Sequence, residues 1–180
     1  MSDVKTEPRS RDAVPGPEPG GPPVSRILFV CTGNTCRSPM AEAIARERLR
    51  ARGWDDVEVR SAGAGAFPGS SPSDGALRVA GRRGVSLEGH KAALLTRREV
   101  EWAELILTMS PSHLVRVSEL GGGGHASLLT AYAEGLEVAA GAGAIPDPIG
   151  GSDEEYAETY ERLEGLIDKV LDRLGTGAGR

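Results

Sequence analysis

Cysteine is scarce in this 180-residue chain: there are two, Cys31 and Cys36. Two cannot build a disulfide framework, and their spacing is not the CxxC of zinc ribbons or thioredoxin-like motifs, so a reducing, cytoplasmic setting is expected. Histidine is nearly as rare, and His90, His113 and His125 stand apart rather than at ligand spacing, so no metal and no cofactor is expected. No apolar run approaches the roughly 18 residues of a membrane span. Nor is there an excess of positive charge. The net charge is -5, which removes the general electrostatic case for a nucleic-acid partner and leaves neither membrane nor nucleic acid among the expected partners. Residues 1–24 lack the apolar core of a signal peptide, and their "VPGPEPGGPP" tract cannot bury enough surface to offset its ordering entropy. A disordered tail is expected there, one compact domain over 25–175, and a short flexible tail at 176–180.

What the chain does contain is an alternation of strand-like and helix-like segments. "RILFV" at 26–30 and "VEVRS" at 57–61 read as strands, with a helix from Pro39 to about Arg52 between them. Ser71-Pro72 can open a second helix ending by Gly84, and Thr96 with Glu99 forms a capping box for a short third one. "AELILTM" reads as a buried strand, Ser110-Pro111 as a helix start, "GGGG" at 121–124 as a turn, and "ASLLT" as a short fourth strand. Ser152 and Glu155 box the last helix. Its Tyr156, Tyr160, Leu163, Ile167, Val170 and Leu174 recur at spacings of four and three on one face. Such alternation predicts an α/β fold: one three-layer domain, a four-stranded parallel sheet with helices on both faces.

The chemistry concentrates in "RILFVCTGNTCRSPMAEAIA", Arg26 to Ala45. In a sheet of this kind ligands bind beyond the carboxyl ends of the strands, where helix N-termini point. Cys31 ends the first strand at that edge. Amides of the turn Thr32, Gly33, Asn34, Thr35 and Cys36, with the positive end of the following helix, would converge on an anion and favour a thiolate at Cys31. Arg37 lies where a loop curled round a tetrahedral anion can return a guanidinium to two of its oxygens. Ser38, as the expected N-cap, carries a hydroxyl that could donate to the Cys31 sulfur. Taken singly, Cys31 reads as a small buried hydrophobe and Arg37 as a surface charge. The C-x5-R spacing, the preceding strand and the Ser-Pro helix start together point instead to a phosphate-binding nucleophile. A Walker A loop is excluded by the missing Gly-Lys pair.

The segment "VCTGNTCRSPMAE" resembles the phosphate loop of the low-molecular-weight protein-tyrosine phosphatases, and especially their protein-arginine phosphatase branch. The likeness continues through "RSAG" at 60–63, "GHKA" at 89–92, "ILTM" at 106–109 and "DPIGG" at 147–151. The resemblance implies a four-stranded parallel sheet, a phosphocysteine intermediate, phosphorylated protein substrates, no metal, and a general acid on a late loop, which Asp147 matches. An acid is needed because a departing oxyanion or guanidine leaves poorly unless protonated. By the same resemblance Asn34, Ser61 and His90 would brace the phosphate loop, and Cys36 could form a reversible disulfide with the nucleophile. Arsenate reductases of this fold relay electrons through downstream cysteines, which the chain lacks after Cys36.

Phosphoarginine is the expected substrate and phosphotyrosine the alternative. Tyrosine-selective relatives usually follow Asp-Pro with tyrosines, whereas Ile149, Gly150 and Gly151 stand here, and Thr35 puts a hydroxyl where those relatives usually carry an aliphatic residue. Thr35 is expected to face the group bearing the phosphate. Phe67 is expected to pack in the core, with an aromatic wall beside the site as the alternative. A non-catalytic phosphoresidue-binding module is a third reading, but it would have no use for both thiol and acid.

Overall fold

The computed structural model describes residues 23–136 and 143–177. The expected tails therefore fall largely outside the described residues. Four strands, β1 (Arg26–Cys31), β2 (Glu58–Gly63), β3 (Leu105–Thr108) and β4 (Ala126–Leu128), form an all-parallel sheet in the order β2-β1-β3-β4. Among the described residues there are six helices: α1 (Arg37–Ala51), α2 (Asp74–Arg82), α3 (Arg97–Trp102), α4 (Pro111–Glu119), α5 (Leu129–Glu134) and α6 (Asp153–Gly175).

Successive strand residues point to opposite faces, and β1 is apolar on both because helices cover both. Ile27 and Phe29 join the larger cluster, with Met40 and Ile44 of α1 and Tyr160 and Ile167 of α6. Leu28 and Val30 join a smaller one with Val100 of α3, Ile106 of β3 and Val117 of α4. The predicted stripe on α6 is buried along its whole length, at about 1.5–3 kcal/mol for each large apolar side chain removed from water. The capping boxes at Thr96/Glu99 and Ser152/Glu155 are present. No helix among the described residues is long and apolar enough to cross a membrane.

Several boundaries differ from the sequence expectation. α1 starts at Arg37, so Cys36 is its N-cap and Ser38 is a buried residue of the first turn rather than the cap. Pro39 is tolerated there because the first four N–H groups of a helix have no intrahelical partner. α2 is capped by Ser73, whose hydroxyl accepts from Ala76, and not opened by Ser71-Pro72. β3 is shorter than "AELILTM". "ASLLT" keeps only three residues in the sheet before turning into α5, which ends on Gly135 in the left-handed conformation, at φ 68°. Short apolar runs do not distinguish strand from helix by periodicity, which is why α5 was invisible.

Candidate active site

β1 is an inner strand, so its last residue, Cys31, is delivered to the carboxyl edge of the sheet between β2 and β3. The chain then makes its loop over Thr32 to Cys36 before entering α1. Asn34 is the only described non-glycine residue with positive φ, at 54°. Asparagine tolerates this left-handed conformation better than most side chains. Gly63 runs alongside, and a Cβ there would stand 2.5 Å from the Thr32 carbonyl oxygen and 2.9 Å from the Asn34 nitrogen. Only glycine lets β2 approach the loop this closely.

Asn34 is fully buried and its hydrogen-bonding capacity is used throughout. Its Nδ2 donates to Ser38 Oγ at 2.8 Å and to Ser61 Oγ at 2.9 Å, while Oδ1 accepts from Ala93 N–H at 2.8 Å. His90 Nε2 donates to the Asn34 carbonyl at 2.9 Å. These contacts hold a strained loop in one shape. Ser38 Oγ, accepting from Asn34, lies 2.9 Å from Cys31 Sγ and has its own proton available for the sulfur. Asn34 N–H donates to the same sulfur at 3.3 Å. The sulfur of Cys31, a residue 2% exposed, thus has two groups placed to donate to it.

Arg37, 4% exposed, reaches across to the loop before α6. Its Nη1 donates to the Ile145 carbonyl at 3.0 Å, and Nη2 donates to Asp147 Oδ2 at 2.7 Å and to Thr32 Oγ1 at 3.4 Å. Nε is buried and has no partner among the described residues. A buried guanidinium with an unused donor, beside a thiol at a helix start, is a site for an oxyanion. Asp147 sits between Pro146 and Pro148, accepts from Ile149 N–H at 3.3 Å, and belongs to a segment anchored by Ile145 N–H on the Met109 carbonyl at 2.8 Å. Its side chain is 38% exposed, open to solvent on the side that Arg37 does not cover.

The structure thus sorts the predicted residues into two hydrogen-bonded groups, Cys31, Asn34, Ser38, Ser61 and His90 in one and Arg37 and Asp147, with Thr32, in the other. Gly33 and Thr35 are half-buried in the same loop, with Thr35 Oγ1 3.7 Å from Cys36 Sγ and the Thr35 carbonyl accepting from Ser73 N–H at 2.9 Å. Both cysteines are free thiols. Cys36 Sγ contacts Ser73 Oγ at 3.1 Å and the Tyr156 hydroxyl at 3.4 Å. Burial, and then that contact with Cys36, pushes the Tyr156 phenol up to about 12. Phe67 corrects the expectation of core packing: it is 82% exposed on the loop that follows β2.

Three participants were missed by sequence reasoning. Glu42 accepts from Ser61 Oγ and pairs with Arg46, so the brace behind Asn34 extends into α1. Gly63 lies inside the quoted "RSAG", but its close approach is legible only once β2 is placed beside the loop. His113 is 4% exposed, with Nε2 2.8 Å from Thr32 Oγ1 and Nδ1 2.9 Å from Ser110 Oγ. Burial, then the positive charge of Arg37, pushes its ring down to about 4 against the opposing pull of Asp147, so it is neutral near pH 7.

Comparison with known proteins agrees with this geometry. The family model described as low molecular weight phosphotyrosine protein phosphatase matches residues 26–178. A protein-arginine-phosphatase of Geobacillus stearothermophilus is 37% identical over 153 residues, covering 84% of this chain and 97% of that one. The low molecular weight protein-tyrosine-phosphatase Wzb of Escherichia coli K12 is 38% identical over 142 residues, 78% and 88% of the two chains. Among solved structures, the YwlE arginine phosphatase from Geobacillus stearothermophilus superposes with a TM-score of 0.75 at 36% identity, covering 85% of this chain and 94% of that one. The tyrosine phosphatase Wzb from Escherichia coli K30, in complex with sulphate, gives 0.73 at 31% identity, covering 84% and 99%. With a thiol, a guanidinium and a carboxylate gathered at the family's phosphate loop, this chain belongs to the low molecular weight phosphotyrosine protein phosphatase family.

Proposed function

We propose that the protein is a cysteine-dependent protein phosphatase that acts on phosphoarginine in cytoplasmic proteins through a phosphocysteine at Cys31. The observation that carries the chemistry is the convergence of Cys31 Sγ, the buried Arg37 and the half-exposed Asp147 on one edge of the sheet, with Arg37 bridging loop and carboxylate. In the first half-reaction the Cys31 thiolate attacks phosphorus, the bond to the leaving nitrogen or oxygen breaks, and Asp147 gives that atom its proton. Arg37 and the loop amides hold the three remaining oxygens as charge develops on them, so the positive charge comes from the chain itself. In the second, Asp147 takes a proton from water as the water oxygen attacks phosphorus, and the Ser38 hydroxyl stabilises the departing sulfur. Arg37 Nη2 donates to Asp147, and a phosphoryl oxygen that takes up this N–H displaces the carboxylate, which gains a proton from solvent or from the substrate's phosphoryl group before it serves the leaving group.

Two features favour arginine. The Geobacillus stearothermophilus relative, which this chain matches over nearly its whole length, is a protein-arginine-phosphatase. Thr35 offers a hydroxyl in the loop, and a guanidinium passing an aliphatic residue there would lose hydration at a cost of about 1–3 kcal/mol. The exposure of Phe67 keeps phosphotyrosine as a second reading, since that ring is free to stack on a phenol. Matched phosphoarginine and phosphotyrosine peptides decide. Wild type is expected to show the higher kcat/KM on phosphoarginine, and Thr35→Ile to move the ratio toward phosphotyrosine by about tenfold. An unchanged ratio removes Thr35 as the specificity element, and a wild-type preference for phosphotyrosine overturns the arginine assignment. A protein that binds phosphate but turns over no aryl phosphate at all is a phosphoresidue-binding module instead.

A further inference from the structure

His113 has no part in the two half-reactions, yet it is buried beneath the residues that perform them. Thr32 Oγ1 lies within hydrogen-bond distance of both His113 Nε2, at 2.8 Å, and Arg37 Nη2, at 3.4 Å. A guanidinium only donates, so the Thr32 oxygen accepts from Arg37, and in the Nδ1-protonated tautomer of the ring Nε2 takes the Thr32 proton. The ring proton then resides on Nδ1, which donates to Ser110 Oγ at 2.9 Å, and Ser110 is itself 2.9 Å from Ser112 Oγ. In that tautomer the result is a relay, Arg37 to Thr32 to His113 to Ser110, joining the phosphate loop to the start of α4. The charged groups facing the ring are Arg37 of α1 and Asp147 of the loop before α6, and with burial they leave it neutral above about pH 4.

We infer that His113 is a positioning residue for Arg37: by taking the Thr32 proton it keeps a Thr32 lone pair turned to the guanidinium and fixes the plane in which Arg37 meets a phosphoryl oxygen. Without that acceptor the Thr32 hydroxyl turns toward other partners, and Arg37 is left to the Ile145 carbonyl and Asp147. The competition between Asp147 and phosphate for Nη2 then shifts toward Asp147. The inference rests on the phosphatase reading only in taking Arg37 as the phosphoryl ligand.

The test uses the full chain and the affinity for inorganic phosphate, measured by calorimetry alongside thermal unfolding. His113→Gln places an amide oxygen near the position of Nε2, whereas His113→Asn keeps a donor toward Ser110 and lacks the acceptor for Thr32. His113→Asn is expected to weaken phosphate binding about tenfold and His113→Gln less than about threefold, a split that a packing role would not produce. Thr32→Val should cost as much as His113→Asn, and the double variant no more than either single one, because both act through one hydrogen bond. Equal losses for Asn and Gln, losses that follow the fall in unfolding temperature, or losses that multiply in the double variant would each overturn the inference. The outcome is independent of turnover: a wild type that binds phosphate without hydrolysing aryl phosphates ends the phosphatase reading and leaves this test intact.

Discussion

The two segments that meet at Arg37 are built on opposite plans. The phosphate loop from Thr32 to Cys36 has Asn34 at its centre, completely buried, with all three side-chain hydrogen bonds made and its carbonyl held by His90. The segment from Ile145 to Gly151 has Asp147 held by one ion pair and one backbone N–H, Ile149 58% exposed, and a Pro148–Gly151 turn at the surface. On the proposed reading, anion binding is organised in advance by buried contacts, while the carboxylate assigned to a variable leaving group stands on a more exposed segment. That division suits a reaction whose phosphoryl half is constant and whose other half changes with the substrate.

Perturbing each segment should give effects of different kind and size. Cys31→Ser is expected to lower turnover by roughly 10⁴-fold or more, while inorganic phosphate still binds, because the cradle is backbone and Arg37 and only the chemistry needs sulfur. Steady-state rates with a phosphate titration check both halves, and undiminished hydrolysis would refute the covalent route. Asp147→Asn should reduce kcat/KM, which reports formation of the phosphocysteine, by about 10²–10⁴-fold for poor leaving groups and far less for good ones. A uniform loss across a leaving-group series would take Asp147 out of the acid role. In stability the order reverses. Asn34→Ala strands buried partners on Ser38, Ser61 and Ala93 and should cost about 2–4 kcal/mol in urea unfolding, whereas Ile149→Ala should stay within about 0.5 kcal/mol.

A last effect is electrostatic. His113 is held at about 4, below the ordinary value for histidine. The unfolded ring therefore takes up a proton first as pH falls, and the contribution of the neutral ring, intact above about pH 6.5, is lost progressively between about 6.5 and 4. Urea midpoints should fall over that window in wild type and fall less in His113→Gln. Identical pH slopes would place the acid sensitivity elsewhere.

Much of this architecture was legible because its signals are local. The strand-loop-helix unit at Arg26 to Ala45, the two capping boxes and the stripe of α6 each lie within a few turns of chain. Cys31, Arg37 and Asp147 could be named because a dense motif fixed the first two and a family likeness supplied the third. The misses are those in which partners are remote or rules permit two outcomes. A proline suits any of the first helical positions, so the sequence alone does not separate Ser38 from Cys36, which is the cap. His113 meets Thr32 from 81 residues away, and a lone histidine carries no spacing signal. Phe67 stays at the surface because the loop after β2 is tied down by its backbone, through Gly69 N–H to Ala92 and Ser73 N–H to Thr35, without needing the ring.

The central claim, that a rigid cradle carries a covalent intermediate which a separately mounted acid forms and breaks, is tested most directly by pre-steady-state kinetics of Asp147→Asn on a chromogenic aryl phosphate with a good leaving group. Formation of the phosphocysteine then needs little acid, while its hydrolysis has lost its base. The account predicts a burst of phenolate close to one equivalent per protein, followed by a slow steady rate, with the phosphoryl group recovered on the peptide containing Cys31. Release that is linear from the start, with no phosphoryl group on Cys31, would contradict it.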